Sequence, residues 1–74
     1  MGKNQWVTTR PDGKWQVKGE GNQKATAVTN TQKEAINIAR NIAINQQSEL
    51  IVQNKESRIR QKDSFGPDSN PPKG

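Results

Sequence analysis

The chain of 74 residues contains no Cys, no His and no Tyr. Without Cys there are neither disulfides nor thiolate metal sites to stabilise a small domain. Without His or Cys, the usual proton shuttles and soft nucleophiles are missing as well. The seven Asp and Glu residues are scattered over expected turns, caps and strand ends, with no pair at a spacing that would share a site. Glu34 reads as a helix cap rather than a base, and Gly19-Glu20-Gly21 lacks the further glycines and the following helix of a phosphate loop. The expectation is a protein that is not an enzyme, uses no cofactor and binds no metal.

Apolar residues are also scarce, at 27% of the chain, and the only aromatics are Trp6, Trp15 and Phe65. A chain this short buries only about 60% of its unfolded surface, so its core is thin. Stability then has to come from tight packing of Ile, Val and Trp or from a partner chain. No stretch approaches the roughly 20 apolar residues that span a bilayer, so no membrane association is expected. The first residues hold no apolar run of the kind that opens a secretory signal, and the expected location is the cytoplasm. Twelve Lys and Arg against seven Asp and Glu leave a net charge of +5. That balance suits an anionic partner such as DNA, RNA or an acidic protein, and it equally serves solubility alone.

The clearest pattern present lies between Thr31 and Gln47. Thr31 and Glu34 have the spacing of a capping box, in which the Thr hydroxyl accepts from the Glu34 N–H and the carboxylate reaches back to the Thr31 N–H. Ala35, Ile36, Ile38, Ala39, Ile42 and Ala43 then fall on one helical face, an arc of about 160°. Lys33, Asn37, Arg40 and Asn41 lie outside it. Ile44 points nearly opposite the apolar stripe, which makes it the candidate contact of a homodimer.

The flanking segments read as strands. Gln5–Arg10 and Lys14–Lys18 enclose Pro11-Asp12-Gly13, a three-residue hairpin loop in which Gly supplies the left-handed residue. Counting back from that loop pairs Thr9 with Trp15, Thr8 with Gln16, Val7 with Val17 and Trp6 with Lys18. Val7, Thr9, Trp15 and Val17 then share the face the helix covers. Trp6, Thr8, Arg10, Lys14, Gln16 and Lys18 share the other. Ala25–Thr29 reads as a short third strand, Glu49–Gln53 as a fourth buried through Leu50 and Val52, and Arg58–Lys62 as a fifth. On the fifth, Arg58, Arg60 and Lys62 are expected to point one way and Ile59 into the core. Phe65 is expected to cap the end of the sheet. The fold class is therefore α+β: a mostly antiparallel sheet, in the order β-β-β-α-β-β, with a single amphipathic helix on one face. Residues 1–65 form the domain, and the Pro- and Gly-rich residues 66–74 are expected to be a flexible tail.

Several stretches belong together: Trp6-Val7, the run Pro11-Asp-Gly-Lys-Trp-Gln-Val-Lys18, Thr31-Gln-Lys-Glu-Ala-Ile36, Ala39-Arg40, Asn45 to Leu50, Arg58-Ile-Arg60, and Asp63-Ser-Phe-Gly-Pro-Asp68 with Pro71-Pro-Lys-Gly74. In these the chain resembles a family of small bacterial proteins known as domain of unknown function 2188. The resemblance covers nearly the whole chain in order and spacing. It implies a bacterial, cytoplasmic, free-standing domain with strands around one helix, and it implies no activity. The family usually has Asp-Gly where this chain has Glu56-Ser57, which leaves the last turn type open. At the level of architecture alone, the hairpin, third strand and following helix look like the arm-type DNA-binding domains of some phage integrases.

The candidate nucleic-acid-binding residues are Trp6, Arg10, Lys14, Lys18, Arg58, Arg60 and Lys62. If both hairpins belong to one sheet, its outer face carries cations around one indole: phosphates would meet the Lys and Arg side chains, and a base could stack on Trp6. The same residues also read as a solvated face, or as one covered by the tail. The alternative function is a protein-interaction or self-assembly module.

Overall fold

The computed structural model describes residues 3–65. Its first hairpin joins β1 (Gln5–Thr9) to β2 (Trp15–Gly19) through the Pro11-Asp12-Gly13 loop. Two backbone hydrogen bonds close the loop, Arg10 N–H to Lys14 O at 2.8 Å and Gly13 N–H to Arg10 O at 3.1 Å. Gly13 has φ 86, a left-handed conformation that costs a residue without a Cβ nothing. The register is the one the loop dictates, from Thr9 opposite Trp15 to Trp6 opposite Lys18.

A third strand, β3 (Ala27–Thr29), adds antiparallel to the outside of β2. It is shorter than the sequence pattern indicated, and Thr26 contributes one further bond, from its N–H to Val17 O at 2.7 Å. The helix α1 (Gln32–Gln46) follows directly, with Thr31 as N-cap accepting from the Glu34 N–H. Half of the expected capping box is shifted. The Glu34 carboxylate accepts from the Asn30 N–H, at 3.3 Å, one residue before the Thr31 N–H it was expected to reach. At the other end no glycine is present, and Gln47 itself takes the left-handed conformation, φ 54, that turns the chain into β4.

That turn sets the topology. β4 (Glu49–Gln53) pairs parallel with β1, and β5 (Ile59–Ser64) pairs antiparallel with β4. One five-stranded sheet results, in the order β3-β2-β1-β4-β5, with one parallel pair among antiparallel ones. The fold is the expected α+β arrangement. The helix carries the chain from one edge back across the sheet, because parallel strands cannot be joined by a tight turn.

Val7, Val17, Leu50 and Val52 are fully buried against Ala35, Ala39 and Ala43 of the helix. Burying each of the four larger side chains contributes about 1.5–3 kcal/mol. The alanines, four apart, form the line of contact, and Ile36, Ile38 and Ile42 flank it half-buried. Small residues on that line let the helix axis approach the strands closely while the isoleucines seal the margins. Phe65 packs against the same cluster and donates its N–H to Ser48 O at 3.0 Å, closing the end of the sheet as expected.

The fifth strand departs from its expected orientation. Gln53 lies opposite Ile59 while Val52 lies opposite Gln61, so Arg60 is the extra residue of a β-bulge. The bulge resets the alternation of faces. Ile59, expected in the core, is 56% exposed on the side away from the helix. Arg60 turns instead toward the helix and donates to Gln32 Oε1 at 2.8 Å. Arg58 precedes the strand and belongs to the turn. The three cations of this segment therefore do not point one way. The expected tail, residues 66–74, lies outside the described residues.

Candidate nucleic-acid interface

The helix packs on β1, β2, β3 and β4 from one side, and no element covers the other side of the sheet among the described residues. On this open face the β1–β2 register sets Trp6 beside Lys18, and Thr8 beside Gln16. The parallel pairing of β1 with β4 sets Ile51 on the other flank of Trp6, and β5 places Lys62 beyond Ile51. Ile51 is only 3% exposed although it faces away from the helix. The Trp6 indole is itself half-buried and presents its remaining surface to solvent.

Polar side chains along β1 and β2 are tied together. Arg10 Nη1 donates to Gln16 Oε1 at 3.0 Å, and Gln16 Nε2 donates to Thr8 Oγ1 at 3.0 Å. Arg10 Nε also stands 3.5 Å from Asp12 Oδ2, an ion pair too long and poorly aimed to be a hydrogen bond. At the other end of the face, Trp6 Nε1 donates to Glu20 Oε1 at 3.2 Å, and Asn4 Nδ2 donates to the same oxygen at 3.2 Å. A hollow of about 350 Å³ opens here, lined by Trp6, Thr8, Gln16, Lys18, Glu20 and Asn22.

The expected cations separate into groups. Lys18 and Arg10 stand on the open face with Trp6. Lys62 is on that face too, 3.6 Å from Glu49 Oε1, in a partly exposed ion pair worth little in water. Lys18 pairs with no carboxylate among the described residues. Lys14 and Arg58 are exposed at the turns. Because β1 and β4 run parallel, the β1–β2 and β4–β5 turns lie at one end of the sheet. A hollow of about 300 Å³ between them is lined by Arg10, Pro11, Trp15 and Lys55 among others. Lys55, which the sequence pattern did not single out, joins Arg10 at that end. Two of the expected cations leave the group: Arg60 is held on the helix side by Gln32, and Lys14 lines a hollow with Glu34, Asn37 and Ile38 of the helix.

Glu20 was also missed. In sequence it is a polar residue between two glycines, and only the backbone bond from its N–H to Asn4 O, at 2.8 Å, draws it to the first strand and so to Trp6. Ile44 is 44% exposed on the far side of the helix, as its position in the sequence pattern predicts.

The architecture defines a small α+β protein built of a five-stranded mixed sheet with one helix on one face. Residues 5–65 match the family model described as "Uncharacterized protein conserved in bacteria (DUF2188)", and the chain belongs to that family. No curated protein and no solved structure matches it. Among the described residues, no helix is long and apolar enough to cross a membrane, and no three His, Cys, Asp or Glu side chains gather as a metal site.

Proposed function

We propose that this protein is a non-enzymatic, cytoplasmic nucleic-acid-binding accessory protein that uses the open face of its sheet. The observation that carries the reading is the half-buried Trp6 indole set beside Lys18, on a face with no helix over it among the described residues. A base stacks on the indole, and the phosphates on either side meet Lys18, Arg10 and the cations of the adjoining turns. A strand of five residues spans about 17 Å, enough to hold a short single-stranded segment rather than a duplex groove. Binding of this kind depends on charge and stacking.

Fluorescence anisotropy with labelled single-stranded DNA and RNA tests it. Neutralising about three phosphates makes affinity fall roughly 20-fold between about 50 and 200 mM salt. Trp6→Ala weakens binding by about 5- to 100-fold. Lys18→Ala weakens it more than Arg60→Ala, because Arg60 faces the helix. Binding that ignores salt, or that survives loss of Trp6 unchanged, would rule the proposal out. The second reading, self-assembly, draws on the exposed Ile44 and predicts a dimer by sedimentation with no affinity for oligonucleotides.

A further inference from the structure

We infer that the hollow beside Trp6 is a guanine site, so that the binding proposed above, on which this inference rests, favours single strands carrying guanine. A carboxylate on a face that meets phosphates repels them, yet Glu20 is held there by hydrogen bonds. Trp6 Nε1 and Asn4 Nδ2 both donate to Oε1, each at 3.2 Å, and its N–H is bound to Asn4 O. Oε2 has no hydrogen-bond partner among the described residues. With two donors already on Oε1, Oε2 is the oxygen left to accept N–H groups from a base that stacks on the ring.

Guanine presents two such donors side by side, N1–H and N2–H, which can converge on that one oxygen, followed by the acceptors O6 and N7. Adenine and cytosine offer a single amino group, and in uracil the one N–H is flanked by carbonyls that a carboxylate repels. Lys18, Trp6's cross-strand neighbour, supplies the ammonium group that suits O6 and N7. The rim leaves room for the base: Gly21, at φ 83, has nothing within 4 Å of where a Cβ would stand. Lys3 Nζ donates to Asn22 Oδ1 at 2.6 Å, which adds a cation at the mouth.

The test compares RNA oligomers of about eight nucleotides, one of uridine alone and three alternating uridine with guanosine, adenosine or cytidine. The full chain is expected to bind the guanosine-containing oligomer about tenfold more tightly than oligouridine. In Glu20→Gln that preference falls to about twofold or less, while oligouridine binds as well or better because a negative charge has gone. In a measurement that needs no variant, guanosine 5′-monophosphate shifts the Trp6 indole N–H resonance and uridine 5′-monophosphate does not. Equal binding of all four oligomers, a guanosine preference that survives Glu20→Gln, or equal shifts with the two nucleotides would overturn the guanine site and leave the polyanion reading standing. Failure of every oligomer to bind at low salt would remove both.

Discussion

Ser57 occupies in the β4–β5 turn the place that Gly13 occupies in the β1–β2 turn. In each, the residue donates its N–H back three positions, to Asn54 O at 3.0 Å and to Arg10 O at 3.1 Å, and the strands close by the same backbone bond. Both have left-handed backbones, Gly13 at φ 86 and Ser57 at φ 63. The cost differs, because a residue with a Cβ meets its own carbonyl there. Asn54 offsets part of it by accepting from the Glu56 and Arg58 N–H groups through Oδ1.

Ser57→Gly is therefore expected to stabilise the protein by about 1 kcal/mol. Gly13→Ala is expected to destabilise it by a similar amount. Chemical denaturation monitored by tryptophan fluorescence reads both.

The buried line of Ala35, Ala39 and Ala43 predicts a core intolerant of added volume rather than of lost volume. Ala39→Ile, which would make the helix more apolar, is expected to cost about 1–3 kcal/mol by lifting it off Val7 and Val17. Denaturant midpoints for Ala39→Ile and for the exposed control Asn41→Ile separate packing from helix propensity.

Asp12 makes the first turn sensitive to acid. The Lys14 backbone N–H, donated to Asp12 Oδ1 at 3.0 Å, holds the Asp12 carboxyl below its usual range, and the nearby Arg10 guanidinium acts in the same direction. A carboxylate whose pKa is depressed by folding stabilises the fold above its unfolded pKa, and loses that contribution as the pH falls through the folded one. The difference in thermal midpoint between the native chain and Asp12→Asn should be present at neutral pH. It should close on acidification below 3.8, the ordinary value for the group. A difference that persisted in acid would show that the side chain acts there by geometry alone.

Ile44 separates the two functional readings. Exposed on a monomer, Ile44→Lys should change stability by no more than about 0.5 kcal/mol and leave sedimentation unaltered. If the helix pairs with a second copy, the same change should dissociate a dimer.

Much of this fold is written locally. The Pro11-Asp12-Gly13 loop sets the β1–β2 register residue by residue, which in turn decides that Val7 and Val17 are buried and that Trp6 and Lys18 are neighbours. The Thr31 cap and the spacing of Ala35, Ala39 and Ala43 place the helix and its buried face. Tertiary structure decided what local pattern does not encode. The parallel pairing of β1 with β4 brought Ile51 beside Trp6 and gathered both turns at one end, since strand neighbours distant in sequence are chosen by packing. The bulge at Arg60 exchanged the faces of Ile59 and Arg60, because one unpaired residue inverts every side chain before it. The bond from the Glu20 N–H to Asn4 O carried a loop carboxylate to the indole. Composition alone made the protein basic, and the meeting of separate segments decided which charges stand together.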